Sequence, residues 1–208
     1  MPADLPWLDW AKQLAAVAQN GLTFAKDPFD VERYQAVRGI AAEMLAAGSG
    51  VPVERVLTLL ESELGYSTPK VDVRAAVFRE GRLLLVKERS DGGWTLPGGW
   101  ADPCQSAAEC VAREVEEESG YRVRPVELLA VFDRSKHPHE PLFASHLYKL
   151  FFRCELIGGE PAATLETEEC AFFAEDALPP LSLTRITPDE LAAVFEHGRH
   201  PGRPADFD

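Results

Sequence analysis

Gly98-Gly99-Trp100-Ala101-Asp102-Pro103-Cys104-Gln105-Ser106-Ala107-Ala108-Glu109-Cys110-Val111-Ala112-Arg113-Glu114-Val115-Glu116-Glu117-Glu118-Ser119-Gly120-Tyr121 is the stretch on which the reading of this chain turns. Its second half predicts a helix. Ala108, Val111, Ala112 and Val115 recur at i, i+3, i+4 and i+7, an apolar stripe for burial. Gly120 stands where a helix stop belongs. At about 100° per residue, Glu114 and Glu118 fall together beside the stripe with Glu117 next to them, while Glu116 points to the solvated side. Carboxylates sharing a helical face repel one another, and the last turns are where the helix dipole favours cations. A bound cation removes both penalties. Oxygen-only ligands select a hard ion, Mg²⁺ or Mn²⁺, over zinc. An isolated acidic run is more often a solvated face, so its surroundings decide.

Those surroundings are specific. Gly99, five residues, Gln105, seven residues, then Arg113-Glu114-Val115-Glu116-Glu117-Glu118-Ser119-Gly120-Tyr121 resembles the Nudix box, and Leu96-Pro97-Gly98-Gly99 leads into it as in that family. One specified position departs: Gln105 stands where the family has Glu. Cys104 replaces a Gly common just before it. The resemblance implies an α+β fold, a mixed sheet in an α/β/α sandwich. It implies a hydrolase acting on a diphosphate linkage, with metal held by Gly98, Glu114, Glu117 and Glu118. Arg113, one helical turn from both Glu109 and Glu117, is expected to brace the carboxylates. Gln105 is expected to hydrogen-bond Arg113, a task an amide can perform.

The flanks extend the likeness to most of the chain. Trp7-Leu8-Asp9-Trp10-Ala11, Thr68 to Arg74, Phe132-Asp133-Arg134, the His137-Pro138-His139 loop and Phe173 to Ser182 resemble a bacterial subgroup with a helical N-terminal domain. Its members hydrolyse a nucleoside diphosphate linked to another moiety, so a CDP-choline-like or ADP-ribose-like substrate is expected, split to nucleoside monophosphate and phospho-X. Two rivals stand beside this reading: a silent nucleotide-metabolite sensor, motivated by Gln105 and Cys104, and a house-cleaning triphosphatase. The general base is open between Glu114 and the loop carboxylates Glu166, Glu168 and Glu169, with Glu169 as the loop candidate. Arg74, Arg89, Arg134 and His137 are candidate substrate contacts, and each is weighed against an ordinary surface ion pair. Trp94, Trp100 and Phe143 could stack on a base or simply line the cleft.

A chain of 208 residues with 46% apolar content can build a real core. Its formal charge of −13 disfavours a sequence-independent grip on nucleic acid or on an anionic membrane. No apolar run approaches a membrane span. The N-terminus lacks the look of a signal peptide, so a cytoplasmic protein is expected. The cysteines form no CxxC pair. Residues 1–66 read as three helices, the second with Tyr34, Val37, Ala41 and Met44 along one face and the third with Val56, Leu57, Leu60 and Leu64 inward. Their five basic and nine acidic side chains argue against a groove-binding helix-turn-helix and for packing or homodimerisation. Residues 67–200 form the expected hydrolase domain, with strands over 71–77, 83–86, 126–132, 145–156 and 170–173, a turn at Gly158-Gly159 and a helix over 187–196. Residues 201–208 are expected to be a loose tail.

Overall fold

The structure is a computed structural model that describes residues 6–140, 145–162 and 164–208. The chain divides into two compact units, Met1–Pro69 with Pro141–His146, and Lys70–Glu140 with Leu147–Asp208.

The first unit carries helices α1 (Pro6–Phe24), α2 (Pro28–Ser49) and α3 (Val53–Ser62). Asp27 caps α2 by accepting from the backbone N–H groups of Phe29 and Asp30, and Pro28 occupies the first helical turn. Gly50 closes the helix in the left-handed conformation. The core is Ala11, Ala42, Leu45, Ala46 and Val56. Its small side chains bring the helices close. At Gly48 a Cβ would lie 1.7 Å from the Trp7 ring, so only glycine admits the indole there. The buried face of α2 is Ala41, Ala42, Leu45 and Ala46, rotated from the expected stripe of Tyr34, Val37, Ala41 and Met44. Leu64, expected inward, lies beyond the end of α3 and is exposed. Trp10, Val17 and Phe24 stay exposed at seven-residue spacing along α1. No helix among the described residues is long and apolar enough to cross a membrane.

The second unit is a mixed sheet between two helices. Its strands are β1 (Lys70–Arg79), β2 (Arg82–Glu88), β3 (Trp94–Thr95), β4 (Tyr121–Asp133), β5 (Leu147–Gly159), β6 (Thr167–Phe173) and β7 (Asp206–Phe207), and its helices are α4 (Ala107–Ser119) and α5 (Pro188–Arg199). The order is β3-β2-β1-β5-β4-β7, with β6 also paired to β2. β1 runs parallel to β5 and antiparallel to β2. The period-two alternation of β1 builds the two faces. Val73, Ala75 and Val77 pack with Cys110, Val111 and Val115 of α4. Ala76 joins Leu191, Val194 and Phe195 of α5 on the other side. Full burial of one such Val or Leu contributes roughly 1.5–3 kcal/mol.

Several boundaries differ from expectation. β4 starts at Tyr121, directly after the Gly120 cap, and absorbs Pro125 through irregular pairing on either side of it. Gly158 and Gly159 do not turn the chain. They pair with Arg122 and Tyr121 at the end of β5. The tail is not loose. Asp206–Phe207 pairs with Ala130 and Val131, and the Asp208 carboxylate accepts from the Asp133 N–H at 2.6 Å. The tail thereby covers the Ala130–Asp133 end of the outer edge of β4.

Candidate active site

The site is built where the Pro97–Ala101 segment lies along β1. The N–H groups of Val73 and Ala75 donate to the carbonyls of Gly99 and Pro97, and the Ala101 N–H donates to Val71. The approach is so close that a Cβ on Gly98, whose φ is +143°, would lie 1.9 Å from the Val73 carbonyl oxygen. Only glycine allows this. The Gly98 N–H then points at the end of α4 and donates to Glu118 Oε2 at 2.8 Å.

Helix α4 presents its carboxylates from a fixed frame. Ser106 and Glu109 form a capping box at its start, and Gly120 closes it through the Glu116 carbonyl. Glu118 is 3% exposed. Burial pushes its carboxyl up to about 8, against Arg74 and the Gly98 N–H, with Glu88 and Glu114 adding to the rise. Glu114 is also raised, by burial first, with Arg113 opposing and Glu117 and Glu166 reinforcing. Its Oε2 lies so near Gly99 that a Cβ there would come within 2.9 Å. Glu117 is 58% exposed, and Glu116 faces solvent as expected.

Arg113 braces this face. Nη1 donates to Glu117 at 2.7 Å, Nη2 to Asp102 at 2.8 Å, and Nε to the Gln105 amide oxygen at 3.2 Å. Nη2 also lies 3.0 Å from Glu114 Oε1. Gln105 therefore makes the contact expected of it. Glu109 does not pair with Arg113, because the capping box takes it. Cys104 adopts φ +67°, a left-handed conformation that explains why glycine suits that position.

The floor is Arg74, which is buried. Nε and Nη2 donate to both Asp72 oxygens at 2.7 Å, and Nη1 donates to the Leu96 carbonyl at 3.1 Å. Burial opposes its charge, but Asp72, Glu118 and Glu88 outweigh that and raise its pKa. Arg74 thus brings its charge to the acidic cluster while its donors serve the protein. Of the loop carboxylates, Glu166 is the one whose charge reaches both Glu114 and Glu88. Glu168 is paired to Lys87 at 3.0 Å, and Glu169 sits in β6 opposite Lys87. Arg89 donates to the Thr164 carbonyl, and Arg134 donates to that of Thr184. His137 packs its ring against that of Phe132 at a tilt of 42° and approaches Asp208 at 3.3 Å. Trp94 is a core residue set edge-on to Phe173, whereas Trp100 is about half exposed. Phe143 lies outside the described residues.

Sequence reading missed four residues here: Asp102, Asp72, Glu88 and Arg185. Asp72 had a visible signal, since it lies two residues from Arg74 on the same face of β1. Glu88 ends β2 and is buried, with Arg185 Nε at 3.0 Å from its Oε1.

No group of three or more His, Cys, Asp or Glu side chains is gathered to hold a metal among the described residues. Arg113 accounts for this, because it draws Glu117 and Glu114 to itself. The donor chemistry nevertheless fits a hard divalent cation. The face offers carboxylate oxygens only, with the Gly98-Gly99 backbone beside it, and burial raises the Glu118 and Glu114 carboxyls, a penalty that a bound cation would relieve.

A family model described as the NUDIX domain matches residues 68–194, and one described as a UDP-X-like N-terminal oligomerisation domain matches residues 6–60. YjhB of Bacillus subtilis (strain 168), provisionally assigned as an ADP-ribose pyrophosphatase, is 46% identical over 202 residues, covering 97% of each chain. A UDP-X diphosphatase crystal structure superposes with TM-score 0.62 at 33% identity, covering 97% of each chain. An ADP-ribose pyrophosphatase structure from Streptococcus suis 89-1591 also superposes with TM-score 0.62, at 42% identity over 68% of this chain and 100% of its own.

Proposed function

The chain belongs to the Nudix hydrolase family, and from that premise we propose that it is a divalent-metal-dependent enzyme splitting a nucleoside diphosphate linked to another moiety. The products are nucleoside monophosphate and phospho-X, with ADP-ribose-like and CDP-choline-like substrates first in line. The observation that carries this reading is the buried Glu118 carboxylate set against the Gly98 N–H beside Glu114 and Glu117. Full-length likeness to a provisional ADP-ribose pyrophosphatase and to a UDP-X diphosphatase supports the substrate class.

Gly98, Glu114, Glu117 and Glu118 would hold the cation. When bound, it screens the phosphate charge and acidifies a water. The chain's own residues do the rest. The Gly98-Gly99 backbone lets the diphosphate approach without a side chain in the way. Arg113 and Gln105 fix the rotamers of Glu114 and Glu117. Glu166 is the loop carboxylate we assign to accept the proton of the attacking water, a reading supported by the reach of its charge to Glu114. Arg74 offsets the carboxylate charge from beneath.

Product chromatography tests this reading. Wild type and Glu117→Gln/Glu118→Gln are incubated with ADP-ribose, CDP-choline, diadenosine polyphosphates and nucleoside triphosphates in Mg²⁺ and Mn²⁺. AMP or CMP release that disappears in the double variant is the expected result. Pyrophosphate as product would mark the triphosphatase instead, and no turnover of anything would remove the enzyme reading.

The helical unit is the proposed dimerisation element, through the uncovered Trp10, Val17 and Phe24 face of α1. A family description as an oligomerisation domain supports this. Light scattering that gives a monomer at micromolar concentration would remove it.

A further inference from the structure

The arginines around the acidic cluster differ in what their donors do. Arg74 spends its N–H groups on Asp72 and Leu96, and Arg113 uses its own on Asp102, Gln105, Glu114 and Glu117. Arg185 is different. Its guanidinium is ion-paired through Nε, 3.0 Å from Glu88 Oε1, its charge also reaches Asp91, and neither Nη group makes a hydrogen bond among the described residues. The side chain is 35% exposed.

Its tether is unusual as well. Glu88 is 2% exposed, yet Oε1 makes no hydrogen bond among the described residues, because the Arg185 contact has ion-pair distance without hydrogen-bond geometry. A buried carboxylate in that state demands an explanation. Glu88 is also central. Its charge is felt by Glu118 and by Arg74, so it links Arg185 to the buried end of the acidic helix. The backbone beneath Arg185 is fixed on both sides. Its N–H donates to the Ser182 carbonyl at 2.9 Å, and its carbonyl accepts from the buried Lys149 ammonium at 2.5 Å. Ser182 in turn donates to Asp91 at 2.7 Å, in the loop that follows Glu88. A cation fixed at its backbone and ion-paired at Nε, whose Nη donors meet no hydrogen-bond acceptor among the described residues, is prepared for a planar or tetrahedral oxyanion.

We propose that Arg185, oriented by Glu88, binds phosphate oxygens of the diphosphate substrate through its two Nη groups. Glu88 acts through Arg185 and is a positioning residue. The inference rests on the diphosphate-hydrolase reading of the neighbouring helix. It adds a cationic grip on the phosphate oxygens to the charge screening that a cation on the neighbouring acidic helix would supply.

The test compares Arg185→Ala, Arg185→Lys and Glu88→Gln with wild type, on ADP-ribose and CDP-choline in Mg²⁺. Arg185→Lys keeps a cation beside Glu88 and guards against misfolding, which melting curves check. Loss of two charge-assisted hydrogen bonds predicts a KM raised roughly 10- to 100-fold in Arg185→Ala, a smaller rise in Arg185→Lys and Glu88→Gln, and little change in kcat. Added guanidinium should restore part of the Arg185→Ala loss. Calorimetric titration of ADP and CDP, with Ca²⁺ in place of Mg²⁺, gives a second readout independent of turnover. If wild type turns over substrate and KM is unchanged in folded Arg185→Ala, the inference is overturned and the hydrolase reading stands. If wild type turns over nothing but ADP binding weakens with Arg185 removed, the hydrolase reading fails and the grip stands. No binding of either nucleotide, or equal binding by all variants without turnover, overturns both.

Discussion

Two glutamates at helix ends are buried in this protein, and they are opposites. Glu190, in the first turn of α5, is 0% exposed and saturated. It accepts from Lys149 Nζ at 2.9 Å through both oxygens, from the Thr187 N–H at 2.8 Å, and meets His139 Nε2 at 3.1 Å. Burial alone would raise its carboxyl, but Lys149 and His139 hold it down to about 2. Glu118, in the last turn of α4, is pushed by burial up to about 8, with the Arg74 charge and the Gly98 N–H opposing the rise and two carboxylate neighbours adding to it. The helix dipole helps the first and opposes the second. Burial with charge fully met makes Glu190 scaffold, whereas Glu118, buried with its charge unmet, is where we propose that the cation is held. The pair can be broken in turn.

Glu118→Gln should cost activity and spare the fold. An amide oxygen can still accept from the Gly98 N–H, so the metal-free melting temperature should stay level or rise. Turnover should fall about 10³-fold, the scale of removing one preorganised electrostatic group. Wild type should also be stabilised by Mg²⁺, by about 2.7 kcal/mol at a hundred times Kd, and the variant should not. A variant that keeps full activity and full Mg²⁺ stabilisation would erase the distinction.

Glu190→Gln should do the reverse. It leaves the Lys149 ammonium buried without its counter-charge, a loss of roughly 3–5 kcal/mol, read by urea denaturation. The pH dependence has a definite sign. Glu190 is held below its ordinary value, so its contribution is complete above about 4.5 and is lost as pH falls toward about 2. His139, pushed down by burial and faced by Glu190, Lys149 and Arg134, acts in the same direction, since unfolding lets it take up a proton. Acid unfolding of Lys149→Met/Glu190→Leu should therefore be flatter than that of wild type. Parallel curves would show that this cluster does not set acid stability.

The same contrast explains what could be read from sequence. The acidic face of α4 was legible because its partners are local: helical periodicity places Glu114, Glu117 and Glu118 together, and Arg113 braces within one turn. The strand alternation of β1 was legible for the same reason. The Glu190 cluster was not, because Lys149, His139 and Glu190 meet only after β5, the His137–His139 loop and α5 have assembled. Glu88 and Arg185 were hidden likewise, nearly a hundred residues apart in the chain and joined by one contact. Glu169 was a candidate because the family resemblance implies a carboxylate in the loop before β6. The geometry instead brings Glu166 into the field of Glu114, since pairing of β6 with β2 sets Glu168 and Glu169 at Lys87. The tail read as loose because nothing in Asp206–Phe207–Asp208 signals the β4 edge it covers.

A smaller effect sharpens the Glu118 side. Gln105→Glu restores the family residue at a position where the amide oxygen already accepts from Arg113 Nε. Arg113 is also engaged by Asp102, Glu114 and Glu117, so one more carboxylate adds little to a half-exposed network. Exposed pairs of this kind are worth about 0.2–1 kcal/mol, which corresponds to at most about a fivefold change in kcat/KM. A gain from near zero would instead make the wild type a sensor.

The smallest effect separates fold from chemistry at a single residue. Cys104 holds φ +67° with an exposed side chain. A non-glycine residue in that conformation costs roughly 1–2 kcal/mol, and replacing it with glycine recovers this minus the greater chain entropy that glycine loses on folding. Cys104→Gly should thus raise stability by up to about 1 kcal/mol in denaturant titration. Activity should not move, because Cys104 touches neither Arg113 nor the carboxylates that Arg113 holds. If turnover rises along with stability, the turn before α4 tunes the register of the acidic face, and the scaffold and the site share that turn.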